Sequence, residues 1–566
     1  MAGNRHEPVG DTLRGARVDA MPRGVVLLAV LIIVAMLALG AYAFAQLMLV
    51  EAEATEMYGR GVIVRTLSDS GVEAALDLLA NADLLAEDGV SLYSYPEGFQ
   101  AITVVPDEDP RWQGRFAVVS PGTDDQPIRF GLSDDSARIN LRTLVAMPGT
   151  DADKQAVLLG LPGMTTEIAD AILDFIDEDE TPRLSGVESE YYLAQDPPYF
   201  TKNQPPNALE ELLLVRDVTP WLLFGEDANR NGLLDPNEND GDASYPPDNS
   251  DGALDRGWAA YLTLYSRERN LSADATPRVF LNGSDLTELY DQLATALGDV
   301  EARFIVAYRI YGPRAQAAPD EEAQLAGEDT ETDTDSAPGA DSPNSRGGDA
   351  GAPSGQGRPS SSSGGDSSRG GLDLTQDPQQ QVESVFDLIA VQVEVPSGDE
   401  QQQAEVLDSP FADDPSQVGQ YLPQILDWLT TREEKVIEGR ININQAPREV
   451  LRGLPGMDDS IVEAIVSNRS PDPLSGERSD PTTAWLVTDG LVTMDQMRTL
   501  EPWITAGGSV YRMQVMGYFD SGGPMARIEA VADATELPPR LVYRRDLSAV
   551  GRGFDPTMLN SPDAAF

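Results

Sequence analysis

Cysteine is absent from the 566 residues, and the single histidine is His6. Those absences exclude disulfides, thiol catalysis, zinc sites of the Cys/His kind, and every Ser-His-Asp or Cys-His arrangement. Basic residues are scarce, 40 Lys and Arg against 94 Asp and Glu, for a formal charge of −54. A surface that neutralised a nucleic-acid backbone would be a local exception to a repulsive field, so nucleic acid is not an expected partner. The acidic excess is read first as a solvated surface. Carboxylate chemistry and oxygen-ligand metals remain. With 41% hydrophobic residues the chain can build cores, and its length suggests three or four domains.

Residues 24–50 carry no charge. As a helix they span about 40 Å, more than the roughly 30 Å of bilayer hydrocarbon. Arg5, Arg14, Arg17 and Arg23 precede the run and Glu51, Glu53 and Glu56 follow it, so the positive-inside rule puts the N-terminus in the cytoplasm and the bulk outside. A secretory signal cleaved after Ala43-Phe44-Ala45 is the alternative, although the apolar run is long for one and continues past that site. Helical pattern runs on beyond the membrane, weakened by Gly59 and Gly61.

Residues 114–120 and 128–132 read as strands, and residues 140–300 as a helix-rich block. Residues 304–311 (FIVAYRIY) read as a buried strand. Residues 331–370 hold 9 Gly, 10 Ser and 4 Pro and no large apolar residue, which predicts a disordered linker. Residues 385–395 are a strand candidate, 418–503 a second helical block, and 510–519 with 525–531 a closing hairpin.

Gly-Leu-Pro-Gly-Met occurs twice, at residues 160–164 and 453–457. At the same offset Ile168, Ala171 and Ile172 fall on Ile461, Ala464 and Ile465, helix-spaced positions that predict a turn followed by an amphipathic helix. Upstream, Arg138-Ile139-Asn140 echoes Arg440-Ile441-Asn442; downstream, Leu184-Ser185-Gly186 echoes Leu474-Ser475-Gly476. The pattern resembles the helix-hairpin-helix of DNA-binding proteins, with Gly160, Pro162, Gly163, Gly453, Pro455 and Gly456 forming the turns. Such hairpins need glycine so that backbone N–H groups can reach a phosphate. Here Thr165 and Asp458 stand at the second glycine position and no Lys or Arg cluster follows, so the copies read as packing units.

Residues 227–238 fit the twelve-residue EF-hand loop. Asp227, Asn229, Asn231 and Asp235 place side-chain oxygens at loop positions 1, 3, 5 and 9, Gly232 turns the chain, Leu233 offers its carbonyl, and Glu238 closes the loop. The exit side is a poor helix, which predicts an unpaired loop acting as a structural calcium clip; an acidic surface turn is the alternative. Asp248, Asp251 and Asp255 have carboxylates at useful spacing without the full template, and are read equally as a second ion site or a solvated loop.

Taken together the parts resemble the minor pseudopilin K family of type II (general) secretion systems. A basic leader ends in Arg23-Gly24 before the apolar run from Val25, and position five from Val25 is Ala29, as in the K type, where most pilins have Glu. Asp134-Asp135-Ser136-Ala137-Arg138-Ile139-Asn140-Leu141, the acidic helix end with Asp174, Asp177, Glu178 and Asp179, Tyr191-Tyr192, Pro197-Pro198-Tyr199 through Asn203, and Leu209-Glu210-Glu211-Leu212 continue the likeness in order. The long leader, the Gly/Ser-rich linker and the chain's size depart from the pattern; Met21 would give a shorter leader.

The resemblance implies a type IV pilin-like α+β fold: a long N-terminal membrane helix, a small antiparallel sheet and large inserted helical (helix-hairpin-helix or SAM-like) modules. The expected divisions are a prepilin leader (1–24), transmembrane and pilin helix (25–80), first part of the sheet (81–139), helical module with the calcium loop (140–303), strand and linker start (304–330), linker (331–381), strand region (382–417), second helical module (418–506), and hairpin with tail (507–566). Prepilin peptidase would cut between Gly24 and Val25. The implied role is non-enzymatic: capping the pseudopilus tip and promoting assembly and export across the outer membrane. The implied partners are other minor pseudopilins, the assembly platform and exported proteins, with the chain spanning the inner membrane once and its bulk in the periplasm. A membrane-anchored helix-hairpin-helix DNA receptor is the alternative function; a calcium-dependent hydrolase has no positive signature.

Overall fold

The computed structural model of the chain describes residues 23–123, 126–314, 368–396, 404–475 and 481–560. The uncharged run becomes the first half of one helix, α1 (Arg23–Ala80), about 87 Å long at 1.5 Å per residue. Gly59 and Gly61 do not interrupt it, because helical neighbours on both sides outweigh a glycine cost of roughly 1 kcal/mol each. Among the described residues it is the one helix long and apolar enough to cross a membrane. From Val25 to Val50 its side chains stand exposed, whereas Val64, Leu67, Val72, Ala75 and Leu79 are buried against a sheet.

That sheet has seven strands: β1 (Ile102–Val105), β2 (Gly114–Thr123), β3 (Gln126–Arg129), β4 (Ser133–Asp134), β5 (Val510–Phe519), β6 (Ala526–Asp533) and β7 (Arg540–Asp546). The order is β1-β2-β5-β6-β7, with β3 on β2 and β4 on β5, so the two ends of the chain meet in one sheet. β5 and β6 form the closing hairpin, paired from Val510 with Asp533 to Gly517 with Ala526. A Cβ on Gly517 would stand 2.0 Å from the Val64 carbonyl oxygen, so glycine is what lets α1 lie directly on β5.

Between β4 and β5 the chain builds a second, larger core of short helices and strands of two to four residues. The first hairpin copy is α2 (Asp151–Leu159), its turn and α3 (Thr166–Ile176). A helical pair follows, α4 (Leu286–Ala296) and α5 (Asp299–Tyr311). The second copy is α6 (Arg448–Arg452), its turn and α7 (Asp459–Asn468). One buried cluster unites both copies, from Ile139 to Ile504.

Three expectations are corrected. Residues 304–311 are the end of α5, not a strand; a continuous apolar run fits a helix buried on all sides equally well, and here Phe304 through Ile310 are all buried. The strand expected at 385–395 is confined to Gln392–Val395, after a 3-10 turn at Val385–Leu388. Of the expected linker, residues 331–367 lie outside the described residues, while Ser368–Arg369 and Leu372–Asp373 pair and Leu372 and Leu374 are buried.

Candidate functional site

The loop at residues 227–238 follows a one-turn helix, Pro220–Phe224, and ends in a 3-10 turn, Pro236–Glu238. Gly232 takes φ +73°, the left-handed turn that loop position six demands. The Asp227 carboxylate accepts the backbone N–H groups of Asn231 at 3.1 Å and Gly232 at 2.8 Å. Buried Glu238 reaches back to the N–H groups of Ala228 and Asp235 at 2.9 and 3.1 Å. Burial pushes both carboxyl groups above their ordinary range, Glu238 also under the charges of Asp227 and Asp235. The turn carries three carboxylates, two side-chain amides and the Leu233 carbonyl, the oxygen donors that a hard cation takes, although Asp227, Asp235 and Glu238 are not drawn together as one cluster among the described residues.

The loop is fastened to the sheet. Fully buried Arg527 on β6 donates to the Asn229 carbonyl, Gln514 on β5 to the Arg230 carbonyl at 2.7 Å, and Asn231 to the Gly553 carbonyl at 2.6 Å. The loop thus joins the inserted region to the main sheet. Asp248, Asp251 and Asp255 engage locally: Asp248 accepts from Asp240, Gly241 and Ser250, Asp251 from Ala253, and Asp255 from the Asn249 amide.

Sequence spacing missed a second group. Among the described residues, one acidic group comes together: Asp174, Asp177 and Glu188, all buried, each bring one carboxylate oxygen within 4.8 Å of the others. Arg183 brings two of them together, its Nη1 reaching Asp174 at 2.7 Å and Asp177 at 2.6 Å. A Cβ on Gly186 would fall 1.8 Å from Asp174, so glycine closes the turn between α3 and Glu188. Among the described residues, neither oxygen of Glu188 accepts a hydrogen bond of good geometry; the neighbouring Thr201 hydroxyl pairs with Ser189 at 2.5 Å. Burial, then the charges of Asp174 and Asp177, push Glu188 up to about 7. The acidic helix end was legible, but nothing in the spacing showed that an eleven-residue excursion returns Glu188 to it.

The hairpin residues meet each other. A Cβ on Gly160 would stand 2.5 Å from the Glu449 carbonyl and 2.7 Å from the Gly453 nitrogen; one on Gly453 would stand 2.4 Å from the Val157 carbonyl. The two copies thus cross at their matching glycines. Gly163 and Gly456 make the left-handed turns, at φ +66° and +75°. Pro162 accepts the Trp258 indole N–H at 2.8 Å, and Pro455 lies in the matching turn between α6 and α7. Thr165 and Asp458, where a phosphate-binding hairpin has glycine, are the N-caps of α3 and α7, accepting from Ile168 and Ile461. Gly24 and Val25 stand in the first turn of α1; residues 1–22 of the leader lie outside the described residues.

Residues 137–223, which hold the first hairpin copy and the Asp174 group, match the family model of protein K of type II secretion systems. That segment is similar to part of a secretion-system component. The likeness to the minor pseudopilin K family, read above from the order of the motifs, stands on it. Type II secretion system protein K of Klebsiella pneumoniae is 41% identical over 54 residues, and a putative protein K of Escherichia coli K12 is 39% identical over 57. Each alignment covers 10% of this chain and 17% of the relative, so the chain spans under a fifth of the curated relatives it matches. A solved GspK-GspI-GspJ complex from the type 2 secretion system of enterotoxigenic Escherichia coli aligns over 88% of this chain and 99% of the other at 12% identity. The TM-score is 0.33, too low for that overlay to place any residue.

Proposed function

We propose that this chain is a minor pseudopilin of a type II secretion system, anchored once in the inner membrane with its bulk in the periplasm, where it caps the pseudopilus tip, promotes assembly and serves export without enzymatic activity. The observation that carries the reading is the protein K match at residues 137–223, set in a large head inserted into the sheet that α1 packs against. The physics supports a terminal place. Position five after Gly24 is Ala29, so the subunit lacks the carboxylate with which a pilin can pair to its neighbour's N-terminal ammonium. An unpaired charge in hydrocarbon costs several kcal/mol, which makes that pairing valuable elsewhere in the filament and dispensable at its end. The head also adds bulk where a further subunit would stack.

In this reading prepilin peptidase cuts between Gly24 and Val25, and calcium held by Asp227, Asn229, Asn231, Leu233, Asp235 and Glu238 clips the head to the sheet. The pilin-like fold and helix-hairpin-helix modules serve as scaffold. The partners are other minor pseudopilins, the assembly platform and exported proteins. Affinity purification of the full chain from detergent-solubilised envelopes tests it: other minor pseudopilins of the same system co-elute in stoichiometric amounts. Elution alone, from cells expressing the whole system, would contradict it.

A further inference from the structure

The duplication provides an internal comparison. Ile139–Asn140 pairs in parallel with Leu262–Thr263, and Ile441–Asn442 pairs in parallel with Ile504–Thr505. Asn140 and Asn442 both turn their side-chain oxygens onto the backbone N–H two residues on, at 3.0 and 2.9 Å. The arginines before them diverge. Arg440 has carboxylate partners, Glu268 at 2.5 Å and Glu501 at 3.4 Å; burial works against its charge, and these partners outweigh it so that its pKa rises. Arg138, its counterpart, makes no hydrogen bond or ion pair among the described residues. Burial, then the like charge of Arg512, push it down to about 10, with Asp135 and Glu529 only partly offsetting them.

Arg138 lines a cleft of about 790 Å³ between the head and the main sheet. Eight arginines against five acidic residues line it, in a chain where acids outnumber bases more than twofold. Most of these cations are engaged: Arg512 pairs with Asp135 at 2.7 Å and Glu529 at 2.8 Å, and Arg545 pairs with Glu210. Arg230, from the Asp227 loop, is not. Its guanidinium lies over the Phe224 ring at 4.6 Å and makes no hydrogen bond or ion pair among the described residues. Arg138 and Arg230 both act on Glu529, whose carboxyl they help hold below its usual range against burial. Two guanidiniums without partners thus line the same cleft as Glu529, a carboxylate that Arg512 already occupies.

We propose that this cleft binds a small oxyanion, a carboxylate or a phosphate, on the guanidinium groups of Arg138 and Arg230. A planar guanidinium offers paired donors matched to either group, and a desolvated cation gains more from such a partner than an exposed one does. The ligand would supply to the first copy the negative charge that Glu268 supplies to the second.

The test is thermal unfolding of the detergent-solubilised full chain, titrated separately with inorganic phosphate and with acetate at ionic strength held constant with chloride. The expected result is a saturable rise in melting temperature with at least one of them. Saturation by phosphate with acetate inert assigns a phosphate, and the reverse assigns a carboxylate. Arg230→Gln and Arg138→Gln should each weaken the apparent affinity at least tenfold, while Arg452→Gln, a surface pair with Asp459 outside the cleft, leaves it unchanged. Should Arg138→Gln fail to fold, Arg138→Lys keeps the charge without the fork and should bind several-fold more weakly than the parent. No saturable rise with either anion, or equal affinities in parent, Arg230→Gln and Arg138→Lys, would overturn the proposal.

Discussion

Replacing Gly453 by alanine, a change that ordinarily favours a helix, should lower the melting temperature by roughly 4–5 °C, from an overpacking cost of about 3 kcal/mol spread over the large core that holds it. Gly453 has φ −75° and ψ −15°, values any residue adopts, so conformational freedom is not why glycine stands there. The reason is space. The added methyl would lie 2.4 Å from the Val157 carbonyl and 2.8 Å from the Val157 Cα, backbone atoms that no rotamer change can move aside. Gly160→Ala, at φ −66°, meets the Glu449 carbonyl in the reciprocal contact and should cost about as much. Gly456→Ala is the contrast: its Cβ would meet nothing within 4 Å, and its φ of +75° alone costs about 1–2 kcal/mol. Scanning calorimetry of the three variants decides; Gly453→Ala melting within a degree of the parent would refute the crossing of the two copies.

The second large effect concerns calcium. Isothermal titration of the full chain should show binding that Asp227→Ala and Glu238→Ala each weaken at least tenfold, with an affinity in the range of extracytoplasmic modules, about 10⁻⁴–10⁻³ M. Calcium should also raise the melting temperature of the parent, since the loop joins the head to β5 and β6. Unchanged heats in both variants would remove the loop from the account.

The Asp174 group adds a pH dependence of known sign. Burial and two neighbouring carboxylates raise Glu188 to about 7, above its ordinary 4.5, so the fold favours its protonated form. Without a cation, the stability that depends on that proton is present below about pH 4.5 and is lost as pH rises through about 7. A cation held by this group must displace the proton, so its affinity should climb with pH to about 7 and then level. Glu188→Gln should abolish that step and leave the binding lost in Asp227→Ala intact.

What the sequence disclosed were features whose cause is local. An uncharged run long enough to cross a bilayer, a repeated turn with helix-spaced apolar positions, and alternating runs around an Asp-Ser-Gly-Gly-Pro turn each announce themselves within a few dozen residues. The features it hid depend on tertiary partners. Residues 304–311 carry no amphipathic stripe because Phe304 through Ile310 are buried on every side of α5. β7 escaped notice as an exposed edge, with Leu541, Val542 and three arginines facing outward or only half-covered. Glu188 comes to Asp174 through Arg183 and Gly186, and Arg138 differs from Arg440 in what the rest of the chain places opposite it. Two identical pentapeptides revealed a duplication, but only the packing showed that each glycine makes room for the other.

The central claim is that α1 is a processed pilin-type anchor carrying a secretion-system head. The measurement that tests it most directly is the N-terminus of the protein recovered from the cell envelope, read by mass spectrometry. The account predicts a chain beginning at Val25, with its α-amino group methylated. An intact leader, or a chain beginning after Ala45, would contradict it.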